Sequence, residues 1–256
     1  MQKNLLQNNN FELLPNERLD DLERDGLYII QNPTRFCFGI DAVLLSDFVE
    51  FKNGAKILDM GTGTGIIPLL LSKGHKSGRT PGFIDALEIQ KTSADSAIRS
   101  VRGNNLSHLI KVTEGDLCSA SEIYGHNKYD VVTINPPYMK FDNLQNATDD
   151  LTISRHEVKC TLEDICRESA RVLKFNGHLF MIHKPERLAE IFEQMMLHHL
   201  EPKKLRFVHP YVDKPPTMVL IDARLGGNHE LKTLPPLIVY KEKNVYSDEI
   251  LKIYGK

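Results

Sequence analysis

Ile57-Leu58-Asp59-Met60-Gly61-Thr62-Gly63-Thr64-Gly65-Ile66-Ile67 is the stretch that decides the fold. Residues 57–60 read as a strand with an acid, Asp59, next to its last residue, and 66–73 as the first helix. Between them, glycines at alternate positions permit a tight turn and close approach of a ligand to the backbone. Strand, glycine turn and helix in that order open a parallel α/β sheet. The spacing is G-x-G-x-G, not the G-x-G-x-x-G of a dinucleotide fingerprint, and the chain has no G-x-x-x-x-G-K-[ST] for a nucleotide triphosphate. An acid at position 59 repels a pyrophosphate and attracts a cationic amino group.

The alternation continues outward from this unit. Strands are predicted over 82–87, 109–113, 129–134 and 179–182, with helices over 92–102, 161–174 and 186–199. The period then changes. Residues 205–208 and 218–225, separated by His209-Pro210-Tyr211-Val212-Asp213-Lys214-Pro215-Pro216, predict a long antiparallel hairpin on an otherwise parallel sheet. Ser247 is a candidate cap for a last helix ending near Gly255; the proline-broken run 234–240 is left unassigned. Upstream, Asp25-Gly26 offers a turn between strand-like 19–22 and 27–30, and Asp41 reads as the N-cap of a helix over 42–50. The expected organisation is a hairpin-plus-helix extension (1–50), a main domain (51–225) and a C-terminal extension packing on it (226–256).

The 256 residues carry 32 Lys+Arg against 34 Asp+Glu, a formal charge of −2, so no overall attraction to polyanions follows and local charge must decide. A hydrophobic fraction of 41% is enough for a real core. No stretch has the length of a membrane span, and Met1-Gln2-Lys3-Asn4 does not open a secretory leader, so a cytoplasmic location without membrane attachment is expected. No obligate protein partner is evident. Cys37, Cys118, Cys160 and Cys166 lack a C-x-x-C pair or histidine partners, which predicts reduced thiols and no metal site.

Three acids fall at successive strand ends: Asp59, Glu88 and Asp116. A carboxylate at 88 can accept both ribose hydroxyls, and one at 116 can accept from an adenine amine. With Gly61 and Gly63 they suit a ligand with an amino-acid end, a ribose and an adenine, and S-adenosylmethionine fits. Asn135-Pro136-Pro137-Tyr138 ends the 129–134 strand with an amide, two prolines and an aromatic ring. Proline lacks an N–H and fixes φ, so the strand stops there while the carbonyls stay available. An exocyclic amine can donate to the Asn135 side chain and the Pro136 carbonyl, with Tyr138 stacked on the base that carries it. Asn135, Pro136 and Tyr138 are therefore the catalytic candidates, and Asn135 also borders the cofactor side. Pro137, Lys184, Arg187, Lys203, Lys204, Arg206, Tyr211 and Lys214 join Tyr138 as candidate substrate contacts.

On the 59–65 loop and the 135–138 tetrapeptide the chain resembles the class I S-adenosylmethionine-dependent methyltransferases, in their amino-methylating branch. Phe38-Gly39-Ile40-Asp41-Ala42-Val43-Leu44-Leu45, Arg155-His156-Glu157 and His209-Pro210-Tyr211 narrow this. With them, residues 20–225 resemble the bacterial family that methylates adenine N6 in the anticodon loop of a valine tRNA. The resemblance implies a Rossmann-like fold with a doubly wound, mostly parallel seven-stranded sheet and an antiparallel C-terminal hairpin. It further implies Gly39 and Asp41 at the cofactor pocket, and tRNA as partner. Methylation of a protein glutamine or of guanine N2 in RNA would use the same acceptors, and a non-catalytic RNA-binding protein with a vestigial pocket is the reading outside enzymology. Residues 1–50 do not encode the helical domain expected of a glutamine methyltransferase.

Overall fold

The computed structural model describes residues 10–34, 37–73, 78–136 and 160–256. Pro137, Tyr138 and Arg155-His156-Glu157 lie outside the described residues. An antiparallel hairpin, β1 (Arg18–Asp21) and β2 (Tyr28–Gln31), leads into α1 (Ile40–Phe48). Next come β3 (Lys56–Met60), α2 (Ile66–Ser72), β4 (Phe83–Glu88), α3 (Lys91–Gly103), β5 (Ile110–Glu114), α4 (Ala120–Tyr124) and β6 (Tyr129–Ile134). The second half holds α5 (Leu162–Val172), β7 (Leu173–His183), α6 (Leu188–Leu197), β8 (Leu200–His209) and β9 (Met218–Leu225). The tail adds β10 (Lys232–Thr233), β11 (Leu237–Ile238), the pair β12 (Tyr240–Glu242) and β13 (Val245–Tyr246), and α7 (Asp248–Ile253).

The main sheet runs β10-β8-β9-β7-β6-β3-β4-β5, with β11 also on β8. β3 through β7 are parallel and β9 is antiparallel to both β7 and β8. The seven long strands are those the sequence predicted. Among the described residues this sheet has nine strands in place of seven because the tail lays two short ones, β10 and β11, along β8. Side chains alternate across the sheet with the two-residue period of a strand. Ile57, Ile84, Val131 and Phe180 pack with α1 and α2, while Leu58, Leu87, Val132 and Leu179 pack with α5 and α6. No described helix is long and apolar enough to cross a membrane.

Several boundaries differ from expectation for local reasons. α1 begins at Ile40 with Gly39 in the cap position, so Asp41 lies inside the first turn and is not the N-cap. Its Oδ1 accepts the Ala42 N–H at 2.9 Å, and a Cβ at residue 39 would meet that oxygen at 2.9 Å. β7 starts at Leu173 because the strand passes through an irregularity at Asn176-Gly177 that reads as a turn. The 186–199 segment begins as a 3-10 turn (Pro185–Arg187) before becoming helical. Thr161 caps α5 through a reciprocal capping box with Asp164, and Ser247 caps α7.

The N-terminal hairpin is fastened to α3 by polar groups. Ser100 Oγ accepts the Ile30 N–H at 2.9 Å, and Asn104 exchanges hydrogen bonds with the Tyr28 backbone. Arg99, 6% exposed, forks onto both carboxylate oxygens of Glu17 at 2.7 Å. The Arg99 hydrogen bonds hold Glu17 below the usual glutamate range. Removing the cation strands a buried carboxylate, so Arg99→Ala is expected to cost about 3 kcal/mol by urea denaturation at neutral pH. Because the folded pKa is depressed, this stabilisation is complete above the ordinary glutamate range. It is lost as pH falls through the lower folded value, so the difference between variant and parent shrinks in acid.

Candidate active site

The sequence enters the sheet at β3 and builds β4 and β5 to one side, β6 and β7 to the other. The order therefore reverses between β3 and β6, where neighbouring loops part and leave a crevice at the carboxyl ends of the strands. Met60 pairs with Ile134, so Gly61 and Asn135 leave the sheet side by side. The glycine turn and Asn135-Pro136, with Gly65 and Asn135 70 positions apart, thus share one crevice. Asn135 is half-buried and Pro136 buried at its edge.

Asp59, Glu88 and Asp116 step across the ends of β3 and β4 and the residues just after β5, each two residues beyond the ladder partner of the one before: Asp59 pairs with Ala86, and Glu88 with Glu114. The glycine turn is clasped from β4: Gly61 and Thr62 N–H groups bond the Leu87 carbonyl at 2.8 and 2.9 Å, and Gly63 N–H bonds Glu88 Oε2 at 2.7 Å. Glu88 Oε1 takes the Gln90 N–H at 2.9 Å, so two backbone donors orient its carboxylate beside the turn. Gly61 and Gly63 have φ of +69° and +57°, which disfavours side chains; a Cβ on Gly63 would meet nothing within 4 Å, and one on Gly61 only Leu117 Cδ2 at 4.0 Å. The space above the turn is open to a ligand. Asp116 Oδ1 accepts the Cys118 N–H at 2.9 Å and caps a 3-10 turn over Leu117–Ser119.

Asp59 is fully buried. Its Oδ1 accepts the Thr133 hydroxyl at 2.6 Å across the β3–β6 ladder, while Oδ2 has no hydrogen-bond partner. Burial pushes its carboxyl up to about 7 against the opposing effect of the Thr133 and Thr62 hydroxyls, and the negative charge of Glu88 adds to the rise. An orphaned acidic oxygen under a glycine turn suits a ligand ammonium and disfavours a phosphate. The residues present fit the amino-acid end of S-adenosylmethionine.

Sequence reasoning missed Thr133 and Gln31. Each had a legible signal, being a lone polar residue in or ending an apolar strand run. Gln31 is fully buried; its Nε2 donates to Thr64 Oγ1 at 2.8 Å and its Oε1 accepts the Phe38 N–H at 3.3 Å. The N-terminal hairpin thereby holds the glycine turn and the segment carrying Gly39 and Asp41 together.

The candidate substrate contacts divide into two groups. β8 runs parallel to β7, so its end at His209 reaches the same rim as Asn135. Lys184 and Arg187 follow β7, and Tyr211 and Lys214 lie in the β8–β9 turn, all on that rim. Arg187 is paired with Glu190 at 2.6 Å. Lys203, Lys204 and Arg206 sit mid-strand on β8 and are engaged within the protein, with the Asn228 carbonyl (2.9 Å), Glu50 (2.6 Å) and Glu249 (2.8 Å). The structure does not bring them to the crevice edge.

A family model described as the methyltransferase small domain matches residues 39–202. The chain belongs to this family. This methyltransferase is 27% identical over 216 residues to a Parabacteroides distasonis protein named tRNA1(Val) (adenine(37)-N6)-methyltransferase, covering 84% of this chain and 87% of that one. A Bacteroides fragilis protein of the same name is 28% identical over 216 residues, with the same coverages. Among solved structures, an Agrobacterium tumefaciens protein described as a predicted O-methyltransferase superposes with a TM-score of 0.67 at 21% identity, covering 84% of this chain and 95% of that one. That likeness shows the fold, the Rossmann-like class I methyltransferase architecture with helices on both faces of a mostly parallel sheet. The protein is accordingly a methyltransferase of the S-adenosylmethionine-dependent class.

The Thr133 hydroxyl favours ionised Asp59, so Thr133→Val should cost about 1–3 kcal/mol where Asp59 is charged and less where it is protonated. Urea denaturation well above and well below pH 7 checks this. A cost that does not grow with pH would mean that the hydroxyl does not serve the carboxylate.

Proposed function

We propose that this methyltransferase modifies the exocyclic N6 amine of an adenine in the anticodon loop of a tRNA, in the cytoplasm. The observation that carries the reading is the shared crevice: an Asn-Pro amine clamp leaves β6 beside the glycine turn of β3. The relatives named for adenine N6 methylation in a valine tRNA cover most of this chain and support the choice of base and polymer.

S-adenosylmethionine, when bound, supplies an electrophilic methyl on a sulfonium centre. Gly61, Gly63, Asp59 and Glu88 would hold its amino-acid end and ribose, with Asp116 toward the adenine. An aromatic amine is a poor nucleophile because its lone pair is delocalised into the ring. The Asn135 side-chain oxygen and the Pro136 carbonyl would accept its two N–H bonds and turn the lone pair toward the crevice. These acceptors accelerate transfer because they bind more strongly as positive charge grows on nitrogen. The extra proton is acidic once the nitrogen is cationic, so no dedicated general base is needed. A loop base is unpaired, so extruding it into the crevice costs little. Lys184, Arg187 and Lys214 on the rim would meet the phosphates and Tyr211 a neighbouring base.

Two outcomes test the reading. Labelled methyl groups should enter total tRNA from a strain lacking the gene as N6-methyladenosine. Asn135→Ala should lower that rate by about 10²–10³-fold with an unchanged circular dichroism spectrum. Label entering protein alone would overturn the RNA assignment in favour of glutamine, and methylated guanine would overturn the base. Affinity for S-adenosylmethionine should weaken as pH falls through about 7, because protonated Asp59 offers a ligand ammonium no charge. Calorimetry should show this slope in the parent protein and a flat profile in Asp59→Asn.

A further inference from the structure

The fold brings together two cysteines that lie 42 positions apart by number, outside any spacing that announces a metal site. Cys118 sits in the 3-10 turn after β5, its N–H bonded to Asp116 Oδ1 at 2.9 Å. Cys160 immediately precedes the Thr161 cap of α5, its Sγ 3.6 Å from the Thr161 carbonyl. Asp164 completes the set from the first turn of α5. The two Sγ atoms and one Asp164 carboxylate oxygen all lie within 4.8 Å of one another, half-buried. We propose that Cys118, Cys160 and Asp164 bind a thiophilic divalent cation of the zinc class.

Geometry and charge both favour such an ion. Tetrahedral zinc, with Zn–S of about 2.3 Å and Zn–O of about 2.0 Å, separates its ligands by about 3.5 Å, so the set need close by only about 1 Å. Asp164 is already aimed: Oδ2 accepts the Thr161 N–H at 3.0 Å and hydroxyl at 2.7 Å, and Oδ1 lies 2.7 Å from Arg167. Two thiolates and one carboxylate carry three negative charges, against two from the ion and one from Arg167, so the loaded cluster is neutral. Without an ion, burial holds both thiols protonated, and the Asp116 and Asp164 charges add to that effect. A divalent ion reverses this balance, and the released protons leave to solvent. The fourth position is left to water. Bound there, the ion ties the turn that carries Asp116 to the head of α5.

Cobalt(II) is the probe, titrated into the reduced full-length protein under anaerobic conditions. The expected result is a thiolate-to-cobalt charge-transfer band saturating at one equivalent and bleached by zinc. The band should be lost in Cys118→Ser and in Cys160→Ser and retained in Cys37→Ser. In the unaltered folded protein, where Cys166 is buried in the core, zinc should protect two of the other three thiols from a thiol reagent, a readout that needs no variant to fold. Absence of a band in reduced protein, its survival in Cys118→Ser, or the same thiols reacting at the same rates with and without zinc would overturn the assignment. Methyl transfer is not read, so the result stands apart from the proposed substrate.

Discussion

The parallel pairing of β3 with β6, in the register that sets Asp59 opposite Thr133 and Met60 opposite Ile134, is the constraint on which the rest depends. Neighbouring strands lie about 4.8 Å apart, so the backbone leaves both at nearly one point and turns opposite ways. A one-residue slip would turn Leu58 and Val132 to the other face and separate Asp59 from its hydroxyl. The two apolar layers that hold the register are therefore also what aims the site. Core packing and site geometry cannot be varied independently here.

Electrostatics at this point run against folding and are retained. A fully buried carboxylate with one unpartnered oxygen, next to a second buried acid in Glu88, is a destabilising arrangement on its own. Neutral replacements at 59 or 88 would relieve it without disturbing the sheet. The arrangement makes sense as a poised receptor: a ligand ammonium supplies the missing charge, whereas a phosphate meets two acids. Backbone N–H groups that would hold a pyrophosphate in a dinucleotide fold are spent here on Leu87 and Glu88. The same glycine-rich turn thus carries a different ligand preference because β4 consumes its donors.

Most of the fold was legible because apolar runs and breakers agree at each strand. The 129–134 strand is bounded by Asn127 and the double proline, and its observed limits are those predicted. Legibility failed where a polar or glycine-containing stretch is drawn into regular structure by its neighbours. Asn176-Gly177 is an unpaired irregularity in β7, bracketed on β6 by the pairs Leu173–Tyr129 and His178–Val131, and the tail strands β10 and β11 exist only because β8 presents an edge. In the site, the acids and glycines were readable from their position after strands. Which cations reach the crevice was not, since proximity in sequence along β8 says nothing about the rim. Lys204 and Lys214 are ten positions apart, yet one is paired to Glu50 mid-strand and the other is on the turn.

The tail, which lies beyond the residues 39–202 that the family model matches, has a physical claim on the rim. β11 pairs with Val208 and His209, and Tyr240 N–H bonds the Pro210 carbonyl at 2.9 Å, so the strand edge leading into the β8–β9 turn is clamped from outside. Tyr211 then tilts against Tyr240 (5.6 Å), which stacks on Tyr246 (5.2 Å) and through it on Tyr254 (5.8 Å). Stacked rings at these separations hold one another in plane. The turn projecting Tyr211, Lys214 and the 83%-exposed Val212 is consequently braced by residues 237–254 as well as by its own hydrogen bonds, Lys214 N–H to the Tyr211 carbonyl at 3.1 Å and His209 Nδ1 to the Lys214 carbonyl at 2.7 Å. Changes in residues 237–254 can then shift the rim while the crevice, with its glycines and acids, stays as it is. That division places the site's glycines, acids and amide at the ends of β3, β4 and β6, and the shape of the rim beside them in a segment outside the residues that the family model matches.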